Sequence, residues 1–141
     1  MIIIVDTNIL FASLRSKNSK FRNILMNKDF SFYTPNFLVV EIFKHKERIL
    51  KKAKTTEKEV YEFLNKVLKR IHFVNEEMIT IESAERGYEL CKDIDEKDTP
   101  FVALTIELNG KLWTRDKPLR KGLINKGFNQ FFKEPEKIIK L

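Results

Sequence analysis

Only one of the 141 residues is a cysteine, Cys91, so no disulfide forms within the chain and its stability has to come from packing. A lone thiol also suits a reducing compartment. There are four glycines, and none sits in a GxxxxGK[ST] or GxGxxG pattern, which excludes a backbone cradle for phosphates. The two histidines, His45 and His72, lack metal-ligand spacing with each other or with Cys91. No GxSxG elbow marks a nucleophilic serine. No apolar run approaches the ~18 residues that a membrane span needs. The five residues before Asp6 are too few for a signal-peptide core. Repeats, low-complexity tracts and long linkers are absent as well. These absences lead us to expect a single cytoplasmic domain over residues 1–141, with no membrane association.

What the chain does have is charge of one sign and a large apolar fraction. The formal net charge is +7 and 43% of residues are hydrophobic, with a pI near 9.5. The apolar share suffices for a core, and the basic balance favours a polyanionic partner such as RNA or DNA.

The chain opens on MIIIVDTN. A continuous, mostly β-branched run reads as a strand buried on both faces. It delivers Asp6 to the strand's carboxyl end, where open α/β folds bind ligands. A plainer role for Asp6 and Asn8 is to cap the next helix.

Helical spacing follows, with Ile9, Leu10, Phe11 and Leu14, then a turn over residues 16–19 and a second helix over 20–26. Residues 30–33 read as a strand. Thr34-Pro35 reads as a helix start, and the helix runs from Asn36 to about Lys52. Thr56 and Glu59 have capping-box spacing. Val60, Phe63, Leu64, Val67, Leu68 and Ile71 then line one helix face. A strand over 72–74 is followed by a helix over 83–92 with Ala84, Tyr88 and Cys91 inward. Asp98-Thr99-Pro100 opens another helix, which Asn109-Gly110 stops. Residues 111–114 (KLWT) form a strand and Pro118 opens a short helix. An edge strand over 128–132 and a last helical turn over 136–141 end the pattern. Strands separated by helices imply an α/β fold, with helices on both faces of a mostly parallel sheet.

Parallel topology brings four distant acids to one end. Asp6 and Asp116 end strands, whereas Glu41 and Asp98 stand at the starts of helices. Two carboxylates ~5 Å apart repel by roughly 3 kcal/mol at an effective dielectric of ~20. Such a cluster wants a cation, and oxygen ligands suit Mg²⁺ or Mn²⁺. Such an ion can hold a phosphate and lower the pKa of a bound water. Lys44, Lys46, Arg48, Arg115, Lys117 and Arg120 lie near these acids in sequence and are the candidates for guiding a nucleic acid.

The motifs IIIVDTNIL, VVEIFKH and DTPFVALTIELNGKLWTRDK, in this order and spacing, resemble PIN-domain proteins, including the VapC-type toxin ribonucleases. The resemblance covers the whole chain. It implies a three-layer α/β/α sandwich and an acidic quartet that holds a divalent metal for RNA hydrolysis. Asp6, Glu41, Asp98 and Asp116 match the quartet. Asn8 and Thr114 match small polar positions that support it, and Asp95 matches an additional acid found in part of the family. The resemblance also implies an antitoxin partner and a homodimer.

Two rival classes differ in chemistry. An aspartate-phosphorylating hydrolase needs Asp two residues after its nucleophile, and Asn8 stands there. A binding module with this fold but no catalysis has no reason to gather unpaired acids. DNA cleavage would use the same metal-activated water, which needs no 2′-OH.

Overall fold

The computed structural model describes residues 1–16 and 19–135. Part of the expected turn over 16–19 and the whole helical turn expected over 136–141 lie outside the described residues.

Four strands form one parallel sheet in the order β3-β2-β1-β4. They are β1 (Ile2–Val5), β2 (Ser31–Pro35), β3 (Ile71–Val74) and β4 (Lys111–Trp113). β1 is central, and Ile3, Ile4 and Val5 are fully buried, as a β-branched run flanked by strands on both sides requires. Its side chains alternate between faces. Ile3 and Val5 join one apolar core with Phe32 and Trp113, while Ile4 joins a second with Leu112.

The two cores lie on opposite faces of the sheet. The first is closed by α1 (Thr7–Arg15), α2 (Lys20–Leu25), α3 (Phe37–Lys44), α4 (Lys46–Lys52) and α5 (Glu57–Arg70). The second is closed by α6 (Ile81–Cys91), α7 (Thr99–Glu107) and α8 (Lys117–Asn125). The fold is the expected three-layer α/β/α sandwich.

Several elements differ from the sequence reading, each for a physical reason. Thr34 and Pro35 belong to β2, and Thr34 does not cap a helix. Its hydroxyl donates to the Val5 carbonyl at 2.9 Å, pinning β2 to β1. The helix expected over 36–52 breaks at His45 into α3 and α4. Thr56 does cap α5, accepting from the Glu59 amide at 3.2 Å. Leu68 is 37% exposed, however, and Ile71 has already entered β3. α6 turns a different face inward: Ser83, Gly87, Leu90 and Cys91 are buried, while Ala84 and Tyr88 face out. The expected edge strand over 128–132 shrinks to a single parallel bridge between Leu112 and Phe131.

β1 is followed by helices on the first face, whereas β4 is followed by α8 on the second. The chain therefore leaves the two adjacent strands in opposite directions. A crevice opens between their carboxyl ends, at the place where open α/β sheets bind ligands.

Candidate active site

Asp6 is the first residue past β1 and is 7% exposed. As N-cap of α1 its Oδ1 accepts from the backbone amides of Asn8 at 2.8 Å and Ile9 at 3.1 Å. Its Oδ2 accepts from the Thr114 hydroxyl. Parallel pairing of Val5 with Trp113 sets this register, so that the residues following the two strands meet. Thr114 is buried, and its oxygen also accepts from the Asp116 amide at 3.1 Å. Asp116 in turn caps α8, accepting from the Leu119 amide at 3.0 Å. One hydroxyl thus ties both strand-end acids into a fixed relation.

Asp98 ends a 3₁₀ turn (Glu96–Asp98) and precedes α7. Asp95 caps that turn, accepting from the Lys97 amide at 3.0 Å. The Ile94 side chain holds this loop in place by filling the space over Gly122 of α8.

The charges of these acids are frustrated. Burial pushes the Asp98 carboxyl up to about 6, and the neighbouring carboxylates of Asp95, Asp6 and Asp116 push the same way. Burial likewise raises Asp6, against the hydrogen bonds from Thr114, Ile9 and Asn8, and Asp116 adds to the rise. The N-termini of α1, α7 and α8 offset part of this repulsion.

Glu41 lies in the second turn of α3 and is half-buried. Its Oε2 is 3.2 Å from Nε2 of His45, four residues on. Glu41 does not contribute to the shifts of Asp6 or Asp98. The structure thus couples Asp6, Asp95, Asp98 and Asp116, with Glu41 engaged separately at the end of α3. Among the described residues, no three His, Cys, Asp or Glu side chains stand close enough to enclose a metal ion. The donor set is nonetheless all oxygen, and a divalent cation would relieve the repulsion within it. Its chemistry therefore fits Mg²⁺ or Mn²⁺ in an open arrangement.

The basic candidates separate into groups. Arg115, Lys117 and Arg120 line a cavity of about 410 Å³ that also reaches Thr114. Arg115 is engaged there: it donates to both carboxylate oxygens of Glu134, at 3.0 and 2.7 Å, and its guanidinium stacks on Phe21. Arg120 lies over Phe131 and donates to the Thr114 carbonyl at 3.4 Å. Arg48 lines a second cavity of about 180 Å³, on the other side of Asn8. Lys46 lies over Tyr61 and lines neither cavity, and Lys44 is exposed on α3.

Glu134 is a further residue of this region, beyond the candidates that the sequence offers. It accepts from Trp113 Nε1 at 3.0 Å and from Arg115, and it pairs with Lys20 at 3.4 Å. These partners, Arg115 foremost, hold its carboxyl down at about 2 against the effect of burial. Glu134 fastens the final described residues beside the crevice. No spacing in the sequence marks it, because its partners are 19, 21 and 114 residues away.

A family model described as PIN domain matches residues 4–131. The chain belongs to the PIN-domain family. No curated protein matches it. A solved structure with the same fold is that of VapBC2 from Rickettsia felis bound to a DNA fragment from their promoter. One of its chains superposes with a TM-score of 0.57 at 18% identity, covering 86% of this chain and 92% of that one. No helix among the described residues of this PIN domain is long and apolar enough to cross a membrane.

Proposed function

We propose that this PIN domain is a divalent-metal-dependent endoribonuclease that hydrolyses RNA phosphodiester bonds. The observation that carries the reading is the mutual repulsion of Asp6, Asp95, Asp98 and Asp116 in the crevice between β1 and β4. Cavities lined with arginine and lysine flank this crevice. Acids that among the described residues have no cationic side chain beside them, next to Arg48, Lys117 and Arg120, suit a cation and a phosphate together.

Asp6, Asp98 and Asp116 would hold Mg²⁺ or Mn²⁺. The bound ion supplies a Lewis acid and lowers the pKa of water. Thr114 and the amides of Asn8 and Ile9 fix the Asp6 carboxylate. Glu41, on its longer side chain, would orient the attacking water. Lys117 and Arg120 offer charge to the phosphate backbone.

A neighbour of the same fold was solved as VapBC2 on promoter DNA. That likeness supports the role of toxin in a toxin–antitoxin pair, with an antitoxin protein as partner.

The test combines metal titration with single-turnover cleavage of single-stranded RNA. Cleavage is expected with Mn²⁺ and is lost in EDTA. Asp6→Asn and Asp116→Asn should weaken metal binding strongly. Glu41→Gln should bind metal more nearly as wild type yet lose most turnover. Full activity in Asp6→Asn would sink the reading. Equal loss of metal in Glu41→Gln would make Glu41 an ordinary ligand.

A further inference from the structure

Two cavities on the α1–α4 side join into one trench. The first, about 180 Å³, begins at Asn8 and is lined by Arg15, Arg48 and Lys52. The second, about 420 Å³, shares Arg15 and Lys52 and continues to Lys54 and Ser19. The Lys54 amide donates to the Arg15 carbonyl at 2.8 Å and clamps the end of α4 to the end of α1. Nearer the site, Phe11 meets His45 edge-to-face at 5.9 Å. The walls are therefore held by packing and backbone bonds.

No acidic side chain among the described residues lines either cavity. Among the described residues, Arg15, Arg48, Lys52 and Lys54 take part in no ion pair. Arg115, which stacks on Phe21 of the second cavity, is by contrast already matched by Glu134. Positive charge without an ion-pair partner among the described residues thus runs from Asn8 along α1 and α4. Arg48 and Lys52 are four residues apart on α4, about 6 Å along its axis. Asn8 and Arg15 are seven apart on α1, about 10 Å.

From this arrangement we infer that the α1–α4 trench is the track for the phosphate backbone of the RNA, leading it to the acids past Asn8. The inference rests on the nuclease reading and names the path of its substrate. Phe11 and Ile49 are 6% and 4% exposed, so the floor beside Asn8 offers neither a stacking platform for bases nor a socket for an apolar anchor, and the half-buried Phe21 of the second cavity is already stacked on by Arg115. A protein segment binds through buried apolar anchors, whereas a polyanion needs only a row of cations. The trench reads phosphates and is indifferent to base sequence.

The test measures binding in EDTA, without cleavage. The anisotropy of a short fluorescein-labelled single-stranded RNA is followed across salt concentrations. Against wild type, the Arg15→Gln/Arg48→Gln/Lys52→Gln triple variant should bind roughly ten- to a hundredfold more weakly at low salt. Its log–log salt slope should be shallower by about 2, at roughly 0.7 for each lost phosphate contact. Arg48→Gln and Lys52→Gln alone should each move the slope by about 0.7, which keeps the test decisive if the triple variant misfolds. Arg86→Gln, on the opposite helical layer, should leave affinity and slope unchanged. Wild-type affinity and slope in the trench variants would overturn the track, as would an equal loss in Arg86→Gln. Intact RNA binding in the triple variant with loss of poly-glutamate binding would overturn it in favour of an acidic protein. Cleavage with Mn²⁺ is scored separately. A wild-type protein that binds through the trench but never cuts refutes the nuclease reading and leaves the track standing. Cutting by a wild type whose binding ignores the trench refutes the track alone.

Discussion

Thr114 shows how much one residue can organise. Its hydroxyl hydrogen donates to Asp6 while its oxygen accepts from the Asp116 amide. A valine there would keep the shape and lose both bonds. The position of Asp6 was legible in the sequence, because a buried apolar run must end where it meets a carboxylate. The separate engagement of Glu41 by His45 was not, since helical spacing places the pair on one face without saying which partner each side chain chooses. Asp98 makes a pH prediction. Burial and its acidic neighbours push its carboxyl up to about 6 from 3.8, so the folded protein holds that proton more tightly than the unfolded chain. The stability it contributes is complete below about pH 4 and is lost as pH rises through about 6. Glu134 runs the other way. Held down at about 2 from 4.5, chiefly by Arg115, it contributes above about pH 4.5 and its contribution fades as pH falls toward 2. Melting curves of the metal-free protein should therefore show a decline between about pH 4 and 6 that Asp98→Asn diminishes, Asp6 keeping its own smaller share, and that saturating Mg²⁺ suppresses. An undiminished decline in Asp98→Asn would assign it to other groups.

The elements that carried strong local signals appeared where expected, such as β1 with its unbroken isoleucines and α5 with its Thr56 cap. The buried face of α6 differs from the expected one because hydrophobicity does not decide it. α6 approaches α7 so closely that a Cβ on Gly87 would lie 2.9 Å from both the backbone nitrogen and the Cβ of Ala103. Only small residues fit the seam, so Ser83 and Gly87 turn inward and Tyr88 turns out. Gly87→Ala should consequently force the two helices apart, at a cost of about 1–3 kcal/mol. Urea unfolding measures this, with Ala84→Ser on the outer face of α6 as the neutral comparison. Equal midpoints for Gly87→Ala and wild type would show that the seam is slack. The break of the 36–52 helix at His45 had no proline or glycine to announce it. It lets α4 follow its own direction across α1, and Ile49 is buried there.

Across the whole molecule, the helical layer that bears α3 leaves large apolar side chains uncovered. Val40 is 64% and Phe43 60% exposed, on either side of Glu41. Such neighbours suit an association surface, and we expect a second copy of the chain to cover them. Light scattering behind size exclusion should then report two chains per particle, falling to one in Phe43→Lys. A wild type that elutes as one chain at high concentration would remove the expectation. The central place of β1 has a temporal consequence. Of the four described strands, the first made is flanked on one side by the last made, and the Asp6–Thr114 bond spans 108 residues. At ribosomal rates of about 5–20 residues per second, some 5–20 s separate the synthesis of its two partners. Until then the nascent chain carries an aspartate at the edge of a half-built sheet, with no β4 beside it. A growing polypeptide therefore cannot close the crevice around Asp6 before β4 has been delivered, so the topology itself acts as a timer on the site.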